Sequence, residues 1–219
     1  MVRRSAQRQR GKRTRPVKRI VLIGTEGRNK TEESYFKNFN QIQNQFIVKF
    51  SSGNSTDAMG IVEDIRKSRD NEKNFRHDDL AFAVFDADLW RTQGNQIQEA
   101  LHYAKRQNIE VILSNPCFEV WFVLHFEDGK SPYNSNNGVI DRLKQHIPDY
   151  QKSKDIFGLL RERMNEAIYH AEQLREYHEG KKTSEQNPMT DVDRVVKLLC
   201  GTGRGNSCSG GVRVGSLGK

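Results

Sequence analysis

Two groups of acidic residues in this 219-residue chain have types and spacings that suit metal-assisted chemistry. The first is Asp86-Ala87-Asp88, which ends the apolar run Ala81-Phe82-Ala83-Val84-Phe85. Two carboxylates one residue apart supply hard oxygen donors of the kind Mg2+ takes. The second is Glu26-Gly27, just beyond the apolar run Ile20-Val21-Leu22-Ile23. A glycine beside a carboxylate lets backbone and phosphate approach closely. Lys30 adds a mobile cation suited to neutralising a phosphate. Taken singly, a D-x-D pair equally well caps a helix or serves a turn. Taken together, a cation site facing a phosphate-friendly helix end is what phosphodiester chemistry on one or two metal ions requires. One carboxylate can then shuttle a proton while the Asp86/Asp88 pair holds Mg2+. A purely structural sheet gains nothing by gathering acids at one edge, where they repel one another.

A third group comprises Asn115, Glu119 and His125. Residues 117–126 are apolar apart from Glu119 and His125. A carboxylate in such a segment is costly unless it is paired or bound to a metal. At helical spacing Asn115, Glu119 and Phe122 share a face, which would bring Glu119 to the same sheet edge. His125 is either a hydrogen-bonded core histidine or a catalytic group. Trp121, Phe122 and Phe126 read as core. Lys152 and Lys154, with Asn187-Pro188-Met189-Thr190, form a fourth candidate group whose place the sequence does not fix, the two lysines being either a solvated face or part of a site.

The elements that must position these groups alternate. Ile20–Ile23, 46–50, 81–88 and 110–113 read as short strands, and the apolar run before Asp86 has the character of a strand buried on both faces. Tyr35, Phe39, Ile42 and Phe46 fit one face of a helix with Thr31 as its N-cap. Ala58, Ile61, Val62 and Ile65 mark a second helix, and Ile97, Leu101 and Ala104 a third. Alternation of this kind implies an α/β, Rossmann-like, mainly parallel sheet flanked by helices. Ligands of such sheets gather at the carboxyl ends of the strands. The second half is helical: 139–147, a long amphipathic helix from Ile156 through Leu159, Leu160, Met164 and Leu174, and a last helix over 192–199. The expected organisation is a basic disordered arm (1–18), an α/β core (19–128), a helical extension packed on it (129–200) and a Gly/Ser-rich tail (201–219).

Charge sharpens this division. The net charge is +8, yet residues 1–19 alone carry nine Lys/Arg and no acid, leaving the remaining 200 residues at about −1. Arg3, Arg4, Arg8, Arg10, Lys12, Arg13 and Arg15 form an arm suited to binding phosphate backbones through counterion release. Nucleic acid is therefore the expected partner. No apolar run approaches the roughly 20 residues that span a bilayer, and no apolar segment follows the basic start, so neither a membrane span nor a secretory signal is expected. Cys117, Cys200 and Cys208 are odd in number and lack metal-site spacing, which reads as free thiols in a cytoplasmic protein. An NTPase is disfavoured because no G-x-x-x-x-G-K-[ST] loop occurs. A D-x-D nucleotide-sugar transferase would leave Glu26 and the basic arm unaccounted for.

Glu26-Gly27 followed by Asp86-x-Asp88 resembles the Toprim signature of topoisomerases, primases and OLD-type nucleases. A fuller pattern is similar to the RloB family. It comprises Glu26-Gly-x-x-Lys30-Thr31-Glu32-x-x-Tyr35-Phe36, then Asp86-x-Asp88, then Asn115-Pro116-x-Phe118-Glu119-x-Trp121-x-x-x-His125-Phe126, then Asn187-Pro188-x-Thr190. The resemblance covers residues 19–199. It implies a Toprim-like fold and a nuclease dependent on Mg2+ (or Mn2+) that acts in anti-phage defence on RNA such as tRNA. A regulatory or sensor protein of the same defence locus would restrain it. Carried onto this sequence, the resemblance implies Glu26 as general acid/base and metal-side carboxylate, with Asp86 and Asp88 as metal ligands. Glu119 and His125 would complete the site. The competing expectation is a nucleic-acid-binding or effector-sensing module without catalysis.

Overall fold

A computed structural model of the chain describes residues 17–27, 31–42, 45–87 and 94–201. Five strands form one sheet in the order β2-β1-β3-β4-β5. They are β1 (Arg19–Thr25), β2 (Phe46–Phe50), β3 (Leu80–Asp86), β4 (Glu110–Asn115) and β5 (Met189–Thr190). The first four are mutually parallel, and β5 adds antiparallel to β4. The α/β expectation and the mainly parallel sheet are thus observed.

The strands are apolar on both sides because helices cover both faces. Val21, Ile23, Phe82, Val84 and Ile112 point into one cluster, together with α1 (Thr31–Lys37) and most of the second half of the chain. Ile20, Leu22, Ala81, Ala83 and Phe85 point into the other, against α2 (Ala58–Asn71) and α3 (Asn95–Arg106). Asp57 caps α2 by accepting from the Gly60 N–H at 2.8 Å. Buried Asp79 accepts from the Ile20 N–H at 2.7 Å and fixes the start of β1 against β3.

The order of the first four strands places a topological switch between β1 and β3. After β1 the chain runs outward to β2 by way of α1 on one face. It then returns to β3 by way of α2 on the other. A crevice opens at the carboxyl ends of two such neighbours.

The second half wraps the α1 face. It contains α4 (Glu119–Val123), α5 (Asn136–His146), α6 (Phe157–Leu160), α7 (Met164–Tyr177) and α8 (Val192–Cys200). Val139, Leu143, Met164, Leu174 and Val195 join the same apolar cluster as Val21 and Ile23, so the later helices share one core with the sheet. Fully buried Asp193 pairs with Arg175 at 2.5 Å and with Lys197 at 2.8 Å, tying α8 to α7.

Several local expectations are corrected. The helix beginning at Thr31 gives way to a 3-10 turn at Asn38–Gln41, and Phe46 belongs to β2 rather than to a helical face. Thr31 is the first helical residue, and its hydroxyl accepts from the Ser153 N–H at 3.1 Å instead of capping its own helix. The long helix from Ile156 is interrupted by a 3-10 turn at Arg161–Arg163. Before that turn Phe157 is buried and Leu159 exposed. Cys117 is a free, buried thiol, whereas Cys200 is disulfide-bonded, against the expectation of three free thiols. Among the described residues no helix is long and apolar enough to cross a membrane.

Candidate functional site

The carboxyl ends of β1 and β3 bring two of the sequence-predicted acids to the switch point. The last β1–β3 pair in register is Thr25 with Val84. Glu26 follows one residue beyond that pair and Asp86 two. Adjacent strands lie about 4.8 Å apart, so both side chains rise from neighbouring strand ends. Asp86 is buried and Glu26 half-buried. On the other side Asp86 stands level with Ser114 of β4, whose hydroxyl is 2.8 Å from that of Thr190 in β5. The register of the strands, set by their apolar cores, therefore determines which acids meet.

Gly27 is there for contact. A Cβ at this position would lie 2.7 Å from the backbone of Asn54. The Gly27 N–H also donates to the Ser55 carbonyl at 3.1 Å. The loop after β1 is thus pressed against the loop after β2, which holds Glu26 at the crevice.

Two more carboxylates approach from the α1 face. Glu119 opens α4 and is 2 % exposed. Its Oε1 accepts from the Tyr150 hydroxyl at 3.1 Å and lies 3.7 Å from the Lys152 ammonium. Glu32, in the first turn of α1, is 5 % exposed, and its Oε2 has no hydrogen-bond partner among the described residues. Burial pushes the Glu32 carboxyl up to about 8; the Glu119 and Glu26 charges add to this, against its own backbone hydrogen bond and Lys152. Glu32 therefore holds a proton at neutral pH, which reduces the negative charge gathered around Glu119 and Glu26.

Lys152 is drawn the other way. Burial would lower its pKa, but the Glu119 carboxylate, with Asp86 and Glu32 also near, raises it. The lysine stays charged. The Cys117 thiol is pushed up by burial, then by Glu119 and Asp86, so it is no nucleophile. Burial and Glu119 likewise raise the Tyr150 phenol, which stays protonated and donates.

The structure brings together Glu26, Asp86 and Glu119, but not His125. That residue is fully buried, edge-on to Trp121 with ring centroids 4.9 Å apart, and its Nδ1 is 2.9 Å from the Trp121 carbonyl. Burial holds it down to about 3, with Arg163 and His170 adding to the shift. It is a core histidine. Asn115 is also structural, donating to the Gln186 carbonyl at 2.5 Å, and Asn187 brackets the Tyr133 backbone through both its amide atoms. Lys154 pairs with exposed Asp149, as a solvated lysine would. Lys152 does not behave so. Lys30, Asp88 and the arm residues Arg3, Arg4, Arg8, Arg10, Lys12, Arg13 and Arg15 lie outside the described residues. Arg19, the last cation of the basic stretch, belongs to the fold, paired with Asp78 at 3.4 Å.

Sequence reasoning missed Glu32 and left Lys152 open. Glu32 had a signal: it lies three and four residues before Tyr35 and Phe36, on the buried face of α1. Lys152 had none, because its place depends on how the segment after α5 folds back.

The donor chemistry at the strand ends fits a hard cation. Mg2+ takes oxygen ligands and commonly uses one or two carboxylates, with water and phosphate oxygens completing the shell. Glu26 and Asp86 supply oxygen and no soft ligand. Among the described residues no group of three or more His, Cys, Asp or Glu side chains is disposed to hold a metal ion.

Fold and site together define a doubly wound α/β protein with acidic side chains at its switch point. The family model described as RloB-like protein matches residues 21–199, and the chain belongs to that family. Neither the comparison with curated proteins nor that with solved structures gave a match.

Proposed function

We propose that the protein is a metal-dependent nuclease of the Toprim type that cleaves phosphodiester bonds of RNA, tRNA among the candidates, in anti-phage defence. One observation carries the reading: Glu26 and Asp86 rise from the carboxyl ends of adjacent parallel strands at the switch point. Membership in the RloB-like family supports it. Glu26, Asp86 and Asp88 would hold Mg2+ or Mn2+. When bound, the ion supplies charge neutralisation and a water acidified for attack. Glu26 carries the proton, as a half-buried carboxylate on a loop pinned at Gly27 can. Lys30 neutralises the phosphate, and the basic arm holds the polynucleotide without reading sequence. A cell carrying such an enzyme needs it restrained, so a regulatory or sensor protein of the same locus is the expected partner.

A second reading is a nucleic-acid-binding module without turnover. It needs only the phosphate-binding part of the same account: the basic arm and a cation at the site. Sequencing of small RNA after expression separates the two. The nuclease reading expects discrete new 5′ ends in one RNA class with wild type and none with Asp86→Asn. Identical RNA profiles would favour the binding module.

A further inference from the structure

The segment between α5 and α6 folds back across the start of α1 and carries a lysine into the acidic crevice. Two tethers fix it. Tyr150 is buried and donates to Glu119. The Ser153 N–H donates to the Thr31 hydroxyl. Ser153 adopts φ 67°, a left-handed conformation that a serine takes at some cost. The turn this makes sets Lys152 beside Glu119 with its side chain still partly in solvent.

Lys152 is more than a counter-ion. At 3.7 Å from Glu119 Oε1 its ammonium is beyond hydrogen-bond length, so the pair is loose. The side chain is 36 % exposed, which leaves ammonium protons free to meet a ligand. The charges of Asp86 and Glu32 act on it as well as that of Glu119, so it lies within electrostatic range of the candidate cation site. A fixed cation at the mouth of an acidic crevice is a place for a phosphate oxygen.

We propose that Lys152 is a phosphate-binding residue of this site, delivered by the 147–156 strap, and that it contacts a backbone phosphate of the bound polynucleotide. This rests on the nuclease reading for its substrate but not for its test. Lys152→Met alone would strand a buried Glu119 charge and risks unfolding. The comparison is therefore between Glu119→Gln and the double variant Lys152→Met/Glu119→Gln, with Lys152→Arg/Glu119→Gln as the charge-retaining control. All three are first shown to be folded by their unfolding transitions.

Binding of a fluorescein-labelled single-stranded RNA is measured by anisotropy across a salt series, with Ca2+ in place of Mg2+ and the RNA shown intact on a gel. The double variant with Met should bind roughly tenfold more weakly than Glu119→Gln, as loss of one charge-assisted hydrogen bond predicts. Its salt slope should be lower by about 0.7, the value of one single-strand phosphate contact. The Arg control should bind like Glu119→Gln. Equal affinities and slopes in all three would overturn the assignment and leave Lys152 a structural partner of Glu119. If the difference appears while wild type cleaves nothing in Mg2+, the phosphate contact stands and the nuclease reading falls.

Discussion

Replacing Glu32 by Gln should make the protein more stable at neutral pH, although it removes a charged residue from a site. In the fold the Glu32 carboxyl is raised from 4.5 to about 8, with burial the main cause. Below pH 4.5 the folded and unfolded chains both hold this proton, and wild type loses nothing by burying the group. As the pH climbs from 4.5 towards 8 the unfolded chain releases the proton while the folded one keeps it. Folding then becomes roughly tenfold less favourable per pH unit. At pH 7 two and a half such units amount to about 3 kcal/mol, and above pH 8 the loss levels off. Glutamine has the shape of the protonated acid and does not titrate. Urea unfolding of wild type and Glu32→Gln in a chelator, between pH 4.5 and 8, reads the difference directly. The two should nearly coincide at pH 4.5, and the variant should lead by up to about 3 kcal/mol at pH 7. Parallel curves, or a variant weaker throughout, would show that the fold holds Glu32 ionised and paired, and the charge balance derived for the crevice would be wrong.

Tyr150→Phe should cost about 1–3 kcal/mol, because it leaves Glu119 Oε1 without its 3.1 Å donor; urea midpoints check this. Gly27→Ala places a Cβ 2.7 Å from the Asn54 backbone. It should lose about 1–3 kcal/mol by overpacking and displace Glu26, so that RNA cleavage falls along with the unfolding midpoint. His125→Gln should lower stability yet leave the shape of the pH–rate profile unchanged, since the buried ring is held down to about 3; a lost limb near neutrality would restore His125 to the site. Cys117 should resist iodoacetamide in the native protein and react in urea, read by mass spectrometry, because its thiol is buried and its pKa raised.

The sheet was legible because its strands are buried on both faces and so read as unbroken apolar runs. Ile20–Ile23 and Ala81–Phe85 are of this kind, each ending where the acids begin. The same feature made Asp86 and Glu26 conspicuous. The helix packed at 58–71 was equally plain, since Ala58, Ile61, Val62 and Ile65 keep one face. What escaped depends on contacts distant in sequence. β5 is two residues long, and only its pairing with Ser114 and Asn115 makes it a strand. Apolar residues run on in phase past Ile156, so the 3-10 turn at Arg161–Arg163 leaves no mark in the pattern. Thr31 has the type of a cap, but a residue 122 positions away claims its hydroxyl. Lys152 looked solvated beside Lys154 because nothing local records that Tyr150 anchors it over Glu119.

The claim on which the rest depends is that the strand-end carboxylates carry metal-dependent cleavage. It is tested most directly by incubating purified wild type, Glu26→Gln and Asp86→Asn with total small RNA over a Mg2+ and Mn2+ titration. Discrete fragments should form with wild type, disappear in EDTA, and fall by about a hundredfold or more in both variants. Wild type that cuts neither RNA nor DNA with either ion, or variants that cut as well as wild type, would contradict it.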